Sequence, residues 1–310
     1  MINLTQRKNI AGRLSPLLLI LGALALLPFS GCRSVSFRDP PPRTPSTLTI
    51  LDNLAAQERI MLTFAQAHPE KITDVRFIDN DWTMLVNGVR FFFANGRFMP
   101  EDMRQRWAEF PPFDFYPYPW TGTPRERQAA IRNPVFSVGS YFLFNTLYSA
   151  PTREASLEQQ VEYNFLGVQL LVHRYIAPLL DRVQARILAA AESDPSINEW
   201  ISDLRGYGWY WRYIAGTYRR SNHSYGVAID LLPVDLGNRQ SYWRWDTRAG
   251  SRFRTINIDN YYKPPDAVVS AFHFYGFLWG GNWSLIDTMH FEFRPEILLL
   301  NGFTIEHLRQ

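Results

Sequence analysis

One carboxylate in the middle of an apolar, β-prone run constrains this chain more than any other feature. Residues 227 to 232 read Val-Ala-Ile-Asp-Leu-Leu. On a strand, Ala228, Asp230 and Leu232 share one face, and Val227, Ile229 and Leu231 share the other. A charge placed there must be paired or bound to a metal, because burying it alone is prohibitively unfavourable. His223 lies seven residues upstream, ahead of a glycine, Gly226, that lets the chain turn. A turn followed by a strand can bring this imidazole and this carboxylate together.

A second segment has the same alternation. In Asp287-Thr288-Met289-His290-Phe291-Glu292-Phe293, His290 and Glu292 share one strand face, and Met289, Phe291 and Phe293 the other. Asp287 stands three residues before His290, close enough for both to reach one site. His223, Asp230 and His290 together make a three-ligand set, and catalytic zinc commonly has three protein ligands and an open position for water. Zinc lowers the pKa of that water and polarises a carbonyl. A carboxylate that stays off the metal can take the proton and pass it to a leaving amine, a role that suits Asp287. The same donors also suit other divalent metals. Glu292, beside a ligand, reads either as an acceptor for the second nitrogen of His290 or as an exposed strand residue.

The two segments together, Ser221-x-His223-x-x-Gly226-x-Ala228-x-Asp230 and Asp287-x-x-His290, resemble the cell-wall zinc metallopeptidases. That family includes VanY-like D,D-carboxypeptidases, D-Ala-D-Ala dipeptidases and L-alanyl-D-glutamate endopeptidases. The resemblance covers about residues 157 to 295. It implies zinc on His223, Asp230 and His290, with Asp287 as the general base. The carboxypeptidase and dipeptidase branches usually carry Glu at the base position, so Asp287 with a following His-Phe looks more like the endopeptidase branch. Trp279-Gly280-Gly281-Asn282-Trp283 looks like that branch too. The family also has an upstream arginine that stabilises the developing oxyanion; Arg212 is the candidate, with Arg219 and Arg220 as competitors. Ser221 reads as substrate-binding or as a turn cap. Trp279 and Trp283 read as core residues or as substrate contacts, since the glycines between them allow close approach.

The first residues have the layout of an export signal: Arg7, Lys8 and Arg13, then an apolar run from Leu17 to Leu27, then small residues ending at Cys32. Leu27-Pro28-Phe29-Ser30-Gly31-Cys32 resembles a bacterial lipoprotein signal, which implies lipidation of Cys32 and a membrane anchor facing the periplasm or cell wall. Cys32 is the single cysteine, so no internal disulfide can form. Arg7, Lys8 and Arg13 account for the whole formal charge of +3. The remainder is neutral, which argues against nucleic acid as a partner.

Residues 33–46 read as a tether rich in Pro, Arg and Ser. Residues 47–150 read as an N-terminal accessory region, with a helix over Leu48–Ala67 and a small β-meander over about Val75–Phe98, signalled by Asn87-Gly88 and Asn95-Gly96. Phe110 to Trp120 alternates proline with aromatics and reads as a segment packed over the core or as a groove wall. Residues 151–310 are expected to form the zinc metallopeptidase domain, with Leu157 to Ala190 helical and divided at Pro178, and a further helix capped by Ser196. Asp235 to Arg254 reads as a polar loop. His173 and His273 read as structural, and His68 and His307 as solvated. The expected fold is α+β: a small antiparallel sheet carrying the zinc site, packed against helices. The expected reaction is hydrolysis of peptidoglycan stem peptides, first as an L-alanyl-D-glutamate endopeptidase. The alternatives are a D,D-carboxypeptidase or dipeptidase, and a non-catalytic peptidoglycan-binding lipoprotein.

Overall fold

The computed structural model describes residues 53–113, 115–132, 141–214, 219–248 and 258–308. The signal segment, Cys32 and the tether lie outside the described residues. None of the described helices is long and apolar enough to cross a membrane.

The fold is α+β. Helix α1 (Leu54–Ala67) starts where the Asn53 side chain accepts hydrogen bonds from the Ala55 and Ala56 N–H groups. It leads into an antiparallel meander of β1 (Ile72–Ile78), β2 (Asp81–Val86), β3 (Val89–Ala94) and β4 (Arg97–Pro100). The chain then runs through a 3₁₀ segment, Glu101–Glu109, into the helices α2 (Pro124–Arg132), α3 (Tyr141–Leu147) and α4 (Arg153–Glu158).

The structure departs from the helix expected over Leu157 to Ala190. Residues 160–173 form a hairpin of β5 (Gln160–Phe165) and β6 (Val168–His173), and the helix, α5 (Ala177–Ala191), starts only after it. The reason lies in Val161, Tyr163 and Phe165, which alternate with Glu162 and Asn164 at the strand period. The hairpin turns through Leu166 and Gly167, both at positive φ. Helix α6 (Pro195–Ser202) follows, capped by Asp194, which accepts from the Ser196 N–H, so Ser196 is the second helical residue and not the cap.

The second sheet holds the site. Its strands are β7 (Leu204–Tyr207), β8 (Ala228–Pro233), β9 (Phe277–Trp279) and β10 (His290–Phe293), in the spatial order β7-β8-β10-β9, all antiparallel. Helix α7 (Trp243–Arg248) breaks the stretch read as a polar loop. Helix α8 (Asp266–Phe274) lies against the sheet, where Phe272 stacks on Phe291 at 4.1 Å. Helix α9 (Pro295–Leu300) closes the chain against α1.

Ile229, Leu231, Phe291 and Phe293 are fully buried and belong to the same apolar cluster as Phe64, Met84, Phe91 and Phe98 of the N-terminal layer. Each such side chain contributes about 1.5–3 kcal/mol through burial. That burial also fixes the register. A slip of one residue would send Ile229 and Phe291 to the polar face and Asp230 into the core.

Candidate metal centre

Strand β8 pairs with β10 so that Asp230 stands opposite His290, and Ala228 opposite Glu292. His223 reaches the same place from a 3₁₀ turn, Asn222–Tyr225, which ends at Gly226 with φ 72°. A side chain on Gly226 would be strained there and would strike Gln160 and the His173 backbone. Ser221 caps this turn, its Oγ accepting from the His223 N–H at 3.4 Å.

The three polar groups converge. His223 Nε2 lies 3.2 Å from Asp230 Oδ1 and 3.2 Å from His290 Nδ1, and His290 Nδ1 lies 3.0 Å from Asp230 Oδ1. These residues form a cluster that could hold a metal ion. The second nitrogen of each imidazole fixes its tautomer. His223 Nδ1–H donates to the Gly208 carbonyl at 2.7 Å, and His290 Nε2–H donates to Glu292 Oε2 at 3.2 Å. A carbonyl and a carboxylate can only accept, so when the imidazoles are neutral their two site-facing nitrogens carry lone pairs. Gly208 approaches β6 closely; a Cβ there would meet the Leu171 carbonyl.

With both imidazoles neutral, three acceptor atoms aimed at one point call for a positive charge, either a proton or a cation. Burial raises the Asp230 carboxyl, but His223 and His290 outweigh it and hold Asp230 far below the usual carboxylate range. Burial likewise opposes a charged His290, yet Asp230 and Glu292 push it up to about 10. The arrangement passes a geometric test for zinc. An ion held tetrahedrally at about 2.0–2.1 Å sets its ligand atoms roughly 3.3 Å apart, close to the spacing observed.

Asp287 lies at the same cleft but outside the cluster. It is partly buried, and its Oδ1 is enclosed without a hydrogen-bond partner among the described residues. Burial raises its carboxyl to about 7. Asp230 and Glu292 add to that rise, while His290 and Arg212 oppose it. The cleft has a volume of about 530 Å³ and takes in Arg212, Arg219, Ser221, Trp283, Asp287 and His290.

The candidate arginines separate clearly. Arg212 is exposed and Arg219 partly buried, and both line the cleft. Arg220 is turned inward, donating to the Tyr225 hydroxyl and to the Ala150 carbonyl. The two tryptophans also separate. Trp283 lines the cleft, its ring 5.3 Å from that of His290. Trp279 does not line it: its indole is buried and donates to the Thr288 carbonyl at 2.8 Å. Of the two readings of Trp279, its position fits the core residue, with its ring packed against Gly281.

The rest of the cleft wall comes from segments whose place the sequence left open or misread. Tyr116, Pro117 and Trp120 form part of the cleft wall, while Phe113 and Tyr118 of the same segment are buried, so the Pro-aromatic stretch both covers the core and lines the groove. The segment is tied down by the Trp120 N–H, which donates to the Asn282 carbonyl at 2.9 Å, and by Arg127, which donates to the Trp283 carbonyl at 2.7 Å. Tyr242, Trp243, Arg244 and Trp245, from the stretch read as a polar loop, line the cleft as well. His68, read as solvated, is fully buried.

Residues 215–293 match a family model of the M15 peptidases described as D-alanyl-D-alanine carboxypeptidase. That stretch holds His223, Asp230, Asp287 and His290. Residues 61–115 match a model described only as a domain of unknown function. No curated protein and no solved structure matches the chain. The first match supports the M15 zinc peptidase family and, in general terms, peptidase action on peptidoglycan.

Proposed function

We propose that this protein is a zinc-dependent peptidase of peptidoglycan stem peptides that cuts between L-Ala and D-Glu, exported and held at a membrane by a lipid on Cys32. The observation that carries the reading is the placement of Asp287 on the same cleft as His223, Asp230 and His290, with an enclosed oxygen that has no hydrogen-bond partner among the described residues. An aspartate there, followed three residues on by His-Phe, favours the endopeptidase over the carboxypeptidase.

In this reading His223, Asp230 and His290 would hold the ion. Bound zinc would supply Lewis acidity, activating a water and polarising the scissile carbonyl. Asp287 takes the proton of the attacking water on its carboxylate and delivers it to the departing amine. Arg212, on the cleft wall, offers a positive charge to the oxygen that becomes negative as the carbonyl is attacked. Ser221 keeps His223 in place through its cap, and Trp283 offers an aromatic surface to the peptide beside His290.

A second reading, D,D-carboxypeptidase action, is favoured by the description of the matching family model. A third, a non-catalytic peptidoglycan-binding lipoprotein, has the aromatic cleft in its favour. One experiment separates the three: incubate the protein lacking residues 1–32 with defined muropeptides, with zinc, with chelator, and as Asp287→Ala, and weigh the products. A zinc-dependent cut between L-Ala and D-Glu that is lost in Asp287→Ala is the expected result. Release of terminal D-Ala would establish the second reading, and intact muropeptides with zinc bound the third.

A further inference from the structure

From the cleft wall beside the cluster inward, the structure buries a run of polar and charged side chains that the proposed chemistry does not use. Glu292 Oε2 accepts from His290 Nε2–H at 3.2 Å and from Asn222 Nδ2 at 2.6 Å. Its other oxygen, Oε1, lies 3.7 Å from the Arg294 guanidinium. Arg294 in turn donates through Nε to Glu296. Glu296 Oε2 lies 3.5 Å from His68 Nε2, at the C-terminal end of α1. Glu292, Arg294, Glu296 and His68 are all buried.

Charges so placed are a poor way to gain stability. Replacing a buried ion pair by neutral side chains of similar volume is often neutral or stabilising. Their arrangement around one metal-site imidazole has a different rationale. A histidine ligand is a good donor when its other nitrogen gives its proton to an anionic acceptor, and loss of such an acceptor lowers metal affinity by about 10–100-fold. Glu292 is that acceptor. Asn222 donates to it, the Arg294 guanidinium stands beside its other oxygen, and Arg294 is held in turn by Glu296.

We propose that Glu292 and Arg294 are positioning residues, which present His290 Nδ1 to the metal, with Glu296 holding Arg294 in place. The inference rests on the zinc reading above, but it concerns residues to which that reading gives no part. It also gives the preceding layer a share in the metal site through Phe113 and Phe144, whose rings lie 5.7 and 5.0 Å from the Arg294 guanidinium.

The test is metal affinity, measured on the full-length protein by competition for zinc with a chromophoric chelator, and the absorption spectrum of the cobalt-loaded form. Glu292→Gln keeps the shape of the acceptor and removes its charge; Arg294→Met with Glu296→Gln removes the supporting pair together. Both are expected to weaken zinc binding about 10–100-fold and to alter the cobalt spectrum, with near-ultraviolet circular dichroism of the metal-free fold unchanged. Combining them should weaken binding little further, since both act through the one bond to His290. Wild-type affinity and an unaltered cobalt spectrum in Glu292→Gln would overturn the inference and leave the proposed reaction standing. That variant decides the matter if the double replacement does not fold. A wild-type protein that binds no zinc would overturn both.

Discussion

Replacing Asp287 by asparagine should make the metal-free protein more stable and the enzyme nearly inactive, and the size of each effect follows from the cleft. Burial raises the Asp287 carboxyl from an ordinary 3.8 to about 7. Below pH 3.8 the group carries its proton in both the folded and the unfolded chain and has no effect on stability. Between those values the unfolded chain gives up the proton and the folded chain keeps it, so stability falls as pH rises. Above about 7 the penalty is constant. Each unit corresponds to about 1.36 kcal/mol, which sets a ceiling of about 4 kcal/mol, and water at the cleft mouth lowers the expected value to about 2 kcal/mol. Asparagine has the same shape and no charge. Asp287→Asn should therefore melt about 4–8 °C above the wild type at pH 8 in chelator and together with it near pH 4. The same change removes the proton acceptor and should lower kcat by about 10²–10⁴-fold. Scanning calorimetry at the two pH values and hydrolysis of a defined muropeptide measure the two effects. Retention of activity within tenfold, or a melting point at pH 8 no higher than wild type, would refute the assignment of Asp287 as a buried base.

With zinc in place, its charge draws the Asp287 carboxyl down, so the acidic limb of kcat should fall at or below pH 7, with activity rising as the base loses its proton; a limb well above 7 would exclude Asp287 as its source. Zinc at a hundred times its dissociation constant should stabilise the wild type by about 2.7 kcal/mol and His223→Ala by much less, measured as a melting shift. Arg212→Ala should lower kcat by roughly 10²–10³ with little change in stability, whereas Arg220→Met should cost about 2–3 kcal/mol by leaving Tyr225 and the Ala150 carbonyl without a donor; kinetics and denaturant titration of the two variants separate these roles. Trp279→Phe should cost about 1 kcal/mol through the lost bond to Thr288 and leave KM unchanged.

The cluster was legible because strand alternation is a local property. A carboxylate at Asp230 inside a run of aliphatics, and His290 and Glu292 two apart, are visible without any knowledge of what lies across the sheet. The pairing that sets Asp230 opposite His290 depends on that alternation and on the buried faces of Ile229 and Phe291. The hairpin at 160–173 was missed although its alternation is equally plain. Leu157 and the residues after Pro178 have helical spacing, and the turn places a leucine, Leu166, in the left-handed region, where glycine or asparagine is the usual signal. The cleft wall was less legible still. Tyr116 and Trp120 are more than ninety residues from His223 in sequence, and nothing local shows which face of a proline-aromatic segment meets a groove.

The buried charges mark where sequence reasoning stops for a physical reason. Arg294 beside a proline, and His68 at a helix end, carry the signature of solvated residues, because a lone charge or imidazole at an element boundary usually faces water. The burial of Arg294 becomes intelligible only when Glu292 and Glu296 are seen to flank it and the run to end on His290. A sheet that places two imidazole nitrogens and a carboxylate within 3.2 Å of each other makes a site that needs a positive charge: a proton on His290 supplies it in the metal-free protein, and a bound cation would supply it in that proton's place. The apolar face of β8 and β10 fixes these atoms on one side, and the run of Glu292, Arg294 and Glu296 fixes His290 on the other, so the fold keeps the cluster ready for a cation.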